Sequence, residues 1–224
     1  MAESTFNHFA AFRFRGRWWE MGAVERQEAW RRIAPALTGS QRAELYRVFP
    51  TRADVDLLVW TTAPFAQGSE VLQRLEDAGR ALQPLRRHAD PVATLWGVTR
   101  PSQYVGKASE RGIDPLDGER RPCLVVYPFA KTAEWYLLEP DERRRLMGGH
   151  IRVGREFEDV DQLLLYSHGL GDQEFVVVYE TEDPTRFSAL VEALRSTEVR
   201  RYTLKDSPVW VGLHVPRDQA PSTW

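Results

Sequence analysis

Along this chain the spacing of apolar positions switches from a strand-like period to a helical one and back, in the same order twice. Residues 5–15, "TFNHFAAFRFR", predict a strand in which Phe6, Phe9 and Phe12 give only an approximate alternation. "AVERQEAWRRIAPAL" follows, with Trp30, Ile33 and Leu37 on one helix face. Two short strands rich in β-branched and aromatic residues, "ELYRVF" and "VDLLVWTT", flank a turn at "PTRAD". A second helix, "SEVLQRLEDAGRAL", turns Leu72, Leu75 and Leu82 inward, and "VATLWGVT" is a further strand. Residues 105–122 are rich in glycine, proline and charge and predict a linker or long loop. The order then recurs. "CLVVYPF" is a strand, and "EPDERRRLMGGHIRVGREF" a helix with Pro140 in its first turn. "QLLLYSH" and "EFVVVYET" are strands around the turn "GLGD", "DPTRFSALVEALRST" is a helix, and "VWVGLHV" closes the series.

Each half therefore has the β-α-β-β-α-β order of a ferredoxin-like unit. The expected fold class is α+β, with tandem ferredoxin-like halves at residues 1–104 and 123–224 and a linker at 105–122. Antiparallel sheets that carry helices on one face need cover on the other. Two such sheets either cover each other or join into a barrel-like layer, the dimeric α+β barrel arrangement. A cavity between one sheet and its helices is compatible with both.

Composition narrows the function classes. A formal net charge of −2 gives no electrostatic case for nucleic acid or an anionic membrane. The single Cys123 leaves no internal disulfide and no cysteine-rich metal site, and its apolar surroundings predict a buried, inert thiol. The N-terminal stretch lacks the apolar core of a signal peptide, and no window reaches the length of a membrane span, so the expected location is cytoplasmic. Eight tryptophans imply an aromatic core, or a flat ligand or subunit interface that uses some of them; Trp18 and Trp19 suit either role.

Familiar cradles are missing: there is no GxGxxG, P-loop, GxSxG or CxxC, and none of the five histidines forms a helical i, i+4 pair. His150 stands apart. Leu146, His150, Val153 and Phe157 share one helix face, and Gly148 and Gly149 precede the histidine. Glycine inside a helix costs about 1 kcal/mol relative to alanine, and it leaves a low surface that a bulky group can approach. Two readings stand on spacing alone: a core histidine bonded to a carbonyl, or the ligand to a metal in a large flat cofactor. Tyr127 and Lys131 likewise read either as ordinary packing and a snorkelling lysine or as chemistry.

Several short motifs carry a resemblance. "YPFAK" resembles the YPMSK-type motif of the chlorite dismutase-like haem protein family, and "EWYLL" with "ERRRLMGGHIRVGREF" resembles its W-Y-x-L, R-x-L-M-x-x-H and GR pattern. "SHGLGDQEFVVVYET" resembles the segment that follows. The likeness covers most of the C-terminal half and is strongest toward the coproheme decarboxylase branch. It implies two ferredoxin-like halves, with His150 as the iron ligand. It implies Tyr127 as the redox-active residue beside a propionate, with Lys131 assisting. The distal position, an arginine in chlorite dismutases, falls in "DVDQLLLY" on Gln162 or Leu163; the spacing to Ser167 favours Gln162. Trp135 would belong to the porphyrin wall and Tyr104 to a propionate site, with Arg120, Arg121 or Lys205 as cationic propionate partner. The activity implied is peroxide-dependent conversion of iron coproporphyrin III to haem b by a cytoplasmic homopentamer. Another haem-dependent oxidoreductase, such as a weak peroxidase, or a haem-binding or transfer protein are the alternatives. Phe129, Ala130 and Ile151 depart from the family's methionine, serine and glycine.

Overall fold

The computed structural model describes residues 4–39, 41–101, 112–217 and 219–220. The N-terminal half contains β1 (Ser4–Phe14), α1 (Gly16–Glu20), α2 (Ala23–Leu37), β2 (Arg42–Arg47), β3 (Leu57–Phe65), α3 (Glu70–Leu82) and β4 (Ala89–Val98). The C-terminal half contains β5 (Cys123–Lys131), α4 (Ala133–Leu137), α5 (Pro140–Gly154), β6 (Val160–Tyr166), β7 (Phe175–Thr181), α6 (Pro184–Arg195), β8 (Thr203–Lys205) and β9 (Trp210–Val215). Every predicted strand and long helix is present. The short helices α1 and α4 and the three-residue β8 are additions, too brief for a periodic signal.

Strands β4-β1-β3-β2 form one antiparallel sheet, and β6-β7-β5-β9 repeat that order in the second. The sheets join edge to edge, β2 to β9 through Leu45↔Val215 and Tyr46↔His214, and β4 to β6 through Val98↔Tyr166. The result is a closed eight-stranded barrel with β8 appended to the end of β5. Both seams use glycine for close approach: a Cβ on Gly97 would lie 2.8 Å from the Tyr166 carbonyl oxygen, and one on Gly212 2.7 Å from Tyr46 Cβ. A barrel of this size is filled by its own side chains. Here Phe9, Leu58, Trp60, Leu124, Val126, Val178 and Trp210 fill it. Barrel closure accounts for the poor alternation in β1. Phe9 and Ala11 face the barrel interior, while Ala10, Phe12 and Phe14 face the helices, so both faces are buried.

The outer faces of the two halves differ. In the N-terminal half, Phe12, Phe14, Leu45 and Val59 pack with Trp18, Trp30, Ile33 and Leu37 in one apolar cluster. Trp18 is thus core, stacked on Phe14 at 4.6 Å, while Trp19 is exposed. Leu72 does not turn inward as expected and is 74% exposed. Val71, Leu75, Ala78 and Leu82 make the partly or fully buried face of α3, and Leu72 lies one helical step, about 100°, to its side. In the C-terminal half, Val125, Tyr127, Val177 and Tyr179 meet Phe187, Leu190 and Leu194 of α6. Farther out on the same sheet, Gln162 and Leu164 of β6 are exposed.

Part of the expected linker is firmly held. Gly112 bridges to Gln162, the Ile113 amide donates to the Gln162 carbonyl at 3.1 Å, and the Ile113 side chain enters the barrel core.

Candidate functional site

Strand β5 sets out the site. Its period of two sends Leu124 and Val126 into the barrel and Cys123, Val125 and Tyr127 toward the helices. Cys123 is a free, buried thiol, and burial raises its pKa, as expected of an inert cysteine. The Tyr127 ring lies 6.4 Å from that of Tyr179 at an interplanar angle of 24°, and Tyr179 meets Phe187 at 5.0 Å. Burial, and then the adjacent Tyr179 hydroxyl, push the Tyr127 phenol well above its ordinary range. Tyr127 is therefore neutral and keeps its hydrogen at neutral pH.

The β5 register shifts between Ala130 and Lys131 where β8 joins it. The Lys131 amide donates to Glu174 at 2.7 Å. Its ammonium lies 4.4 Å from the centroid of the Trp135 ring and 5.2 Å from that of Phe129. Burial lowers Lys131 to about 8, with Glu174 opposing the shift and Arg200 adding to it. Trp135 is buried, clustered with Leu146 and Val199 and ring to ring with Tyr202 at 5.7 Å. It supports Lys131 and the base of α5.

His150 lies one turn beyond the buried Leu146 on α5, half-buried. Its Nδ1 is 3.5 Å from Thr197 Oγ1, a long, weakly orienting contact. The Thr197 hydroxyl donates its one hydrogen to the Leu194 carbonyl at 2.6 Å, so toward the imidazole it accepts. This arrangement assigns the proton to Nδ1 and leaves a lone pair on Nε2, which has no hydrogen-bond partner among the described residues. Burial and then Lys131 lower His150 to about 4, so the imidazole is neutral. A Cβ added to Gly148 or Gly149 would meet nothing within 4 Å. Among the described residues no group of three His, Cys, Asp or Glu side chains could hold a bare metal ion. A single neutral imidazole instead suits a metal that arrives with its own equatorial ligands, as porphyrin iron does.

Register separates the two distal candidates. Gln162 pairs with Tyr179 and Leu164 with Val177, both on the outer face that carries Tyr127. Leu163 packs against the barrel interior. Gln162 is therefore the polar residue of β6 on the open sheet wall, and His150 stands on the helix wall.

The remaining candidates divide. Lys205 lies opposite Ala130, at the end of β5 that carries Lys131. Arg120 faces the barrel, not the site. Its side chain is 2% exposed, pairs with Glu180 at 3.3 Å and lies over Trp60. Arg121 is engaged by Asp161 and Glu182. Tyr104 lies outside the described residues. The structure adds residues that sequence reasoning missed: Tyr179 beside Tyr127, Thr197 beside His150, and Asp206, which accepts from Arg200 at 2.5 Å. No local signal marks Tyr179, because its role depends on which residue of β5 lies next to it.

Residues 18–215 match the chlorite dismutase family. The chain belongs to that family. It is 32% identical over 170 residues to a coproheme decarboxylase of Mycolicibacterium smegmatis, a match covering 75% of this chain and 71% of that protein. A coproheme decarboxylase of Staphylococcus carnosus is 27% identical over 173 residues, covering 69% of this chain and 65% of that protein. The fold resembles that of a variant of the chlorite dismutase from Candidatus Nitrospira defluvii, with a TM-score of 0.84 and 24% identity over 100% of this chain and 96% of the other. The relatives named coproheme decarboxylase are enzymes, and the ferredoxin-like halves read from the sequence agree with the family's fold. Among the described residues no helix is long and apolar enough to cross a membrane.

Proposed function

We propose that this protein binds iron coproporphyrin III through His150 and uses hydrogen peroxide to convert two of its propionates to vinyl groups, yielding haem b. The observation that carries the reading is the placement of Tyr127, a neutral, oxidisable phenol, and Lys131 on one strand, beside a helix that offers the neutral imidazole of His150. When bound, the iron porphyrin supplies the chemistry that reduces peroxide. The chain supplies the rest. His150 Nε2 holds the metal. Gln162 orients peroxide from the sheet wall by hydrogen bonding. Lys131 holds a propionate carboxylate by a charge-assisted hydrogen bond, with Lys205 near the same end of β5. Tyr127 gives up its phenolic hydrogen, becomes a radical, and takes a hydrogen atom from the propionate β-carbon. Loss of a second electron from the substrate then breaks the bond to the carboxyl carbon. Per carboxyl, one propionate, one peroxide and one proton become one vinyl group, one carbon dioxide and two waters. Tyr104 belongs to the same reading as a propionate contact, as do a cytoplasmic location and a homopentameric ring.

The deciding experiment adds iron coproporphyrin III and peroxide to purified protein and follows the porphyrin by mass. Stepwise loss of two carboxyl groups supports the proposal. Peroxidase turnover with an unchanged porphyrin mass points to another haem-dependent oxidoreductase, and slow release of unchanged porphyrin to a binding or transfer protein.

Chlorite chemistry favours a cation over the distal face, and Gln162 is neutral. Gln162→Arg is expected to add at most weak dioxygen release from chlorite, because the surrounding cavity must also position the anion. Robust release by the unaltered protein, measured with an oxygen electrode, would overturn the assignment of Gln162.

Lys131 gives a pH signature. The anchoring ammonium is present below about 8 and lost as pH rises through that value, well below the 10.5 of an ordinary lysine. The kcat/KM of decarboxylation, which reports the substrate-free protein, is therefore expected to fall above pH 8, and Lys131→Met to remove that limb of the profile. Protein stability runs the other way. Between about 8 and 10.5 the unfolded chain binds more protons at this lysine than the folded one, so its contribution rises with pH. A kcat/KM that falls only near pH 10, unchanged in Lys131→Met, would remove Lys131 from the mechanism.

A further inference from the structure

Tyr127 is not an isolated phenol. The pairing of β5 with β7 and of β7 with β6 places Tyr179 on the same outer face, one pair along from Tyr127 and directly opposite Gln162. The two rings lie nearly parallel at 6.4 Å, and each hydroxyl shifts the pKa of the other. Tyr179 is 6% exposed, and the Phe187 ring covers it from α6. Nothing in the packing requires the hydroxyl of Tyr179, since phenylalanine would fill the same space between Tyr127 and Phe187. A buried hydroxyl is costly unless partnered, and here the neighbouring side chain is another oxidisable phenol.

We propose that Tyr179 is a second redox tyrosine that acts through Tyr127, sharing the radical formed there. This rests on the decarboxylase reading of the same site. The step is an exchange of one hydrogen atom. The Tyr127 radical takes the hydroxyl hydrogen of Tyr179, which becomes the radical, and the reverse transfer restores the Tyr127 radical. No oxidant is consumed in the exchange; the oxidising equivalent comes from the peroxide already required for each carboxyl. Tyr179 is shielded from solvent under Phe187. It therefore holds the equivalent while a propionate comes into place and returns it through Tyr127.

The test mixes iron coproporphyrin-loaded protein with peroxide, freezes it within the turnover time, and records electron paramagnetic resonance with normal and ring-deuterated tyrosine. Folding of each variant is checked by circular dichroism. In Tyr127→Phe, decarboxylation should be lost and the tyrosyl signal should fall at least tenfold, because Tyr179 is oxidised only through Tyr127. The Tyr127→Phe, Tyr179→Phe double variant should match Tyr127→Phe. In Tyr179→Phe alone, vinyl product should still form, and the tyrosyl spectrum should narrow to a single component. A merely structural role for Tyr179 predicts no change in the radical spectrum. A Tyr179→Phe spectrum equal to that of the unaltered protein, or a Tyr179 radical that survives in Tyr127→Phe, overturns the proposal. If the unaltered protein forms neither vinyl product nor tyrosyl radical, the decarboxylase reading itself fails, an outcome distinct from loss of the Tyr179 role alone.

Discussion

Tyr127→Phe is expected to abolish conversion of iron coproporphyrin III to haem b while leaving the folded protein and its porphyrin binding intact. The substitution removes one oxygen and keeps the ring that packs between Tyr179 and the strands of the C-terminal sheet. The hydroxyl contributes at most about 0.5–1.5 kcal/mol as a hydrogen bond, against a typical domain stability of about 5–15 kcal/mol. The chemical effect is far larger, because phenylalanine has no phenolic hydrogen to lose and cannot take one from the propionate β-carbon. The rate of loss of the first carboxyl should fall by about 100-fold or more, at least the lower end of what a positioned hydrogen-transferring side chain contributes. Lys131→Ala should be milder, since lysine positions the carboxylate and does not relay the electron. Mass spectrometry of the porphyrin at timed intervals measures both. A folded Tyr127→Phe protein that still makes haem b at close to the original rate removes Tyr127 from the mechanism.

His150→Ala should produce the second large effect, on iron coordination. The imidazole is neutral, and its Nε2 has no hydrogen-bond partner among the described residues, so the substitution removes a ready donor. Porphyrin affinity should fall about 100-fold, at least what losing an outer partner of a metal ligand costs, with a displaced Soret band in whatever complex remains. The cost to folding should be about 1–2 kcal/mol, as for a half-buried polar side chain. Exogenous imidazole should restore part of the spectrum. If His150 is only a core histidine, the variant loses stability and its Soret band does not move. The pH dependence has a definite sign. The folded protein holds this histidine neutral down to about 4, so protonation favours the unfolded chain, and stability falls as pH drops from 6.5 toward 4.

Local features made much of this legible in the sequence. The period-two and helical runs that define the two halves are nearest-neighbour properties, and both halves fold as those runs imply. His150, Tyr127 and Lys131 stood out because a histidine after two glycines and a tyrosine and lysine closing an apolar strand are local anomalies. Leu72 is an exception to this local legibility. Leucine spacing alone turns it inward, yet alanines and a valine complete the buried face of α3. Arg120 is a second case: its sequence neighbourhood is that of an exposed loop, but its side chain is buried in the barrel against Glu180.

The sequence by itself determined the order of elements, the repeat of that order, and the side chains that carry unusual chemistry, because each is written in residues a few positions apart. Only the tertiary structure decided that the two sheets close into one barrel, and that the N-terminal helices join their sheet in one apolar cluster while β6 leaves Gln162 and Leu164 exposed. It also decided that Gln162, not Leu163, shares a face with Tyr127, and that Tyr179 lies beside it. The physical reason is the period of two along a strand: a shift of one residue in register moves every side chain to the opposite face. That register is set by contacts between strands distant in sequence, which no local window contains.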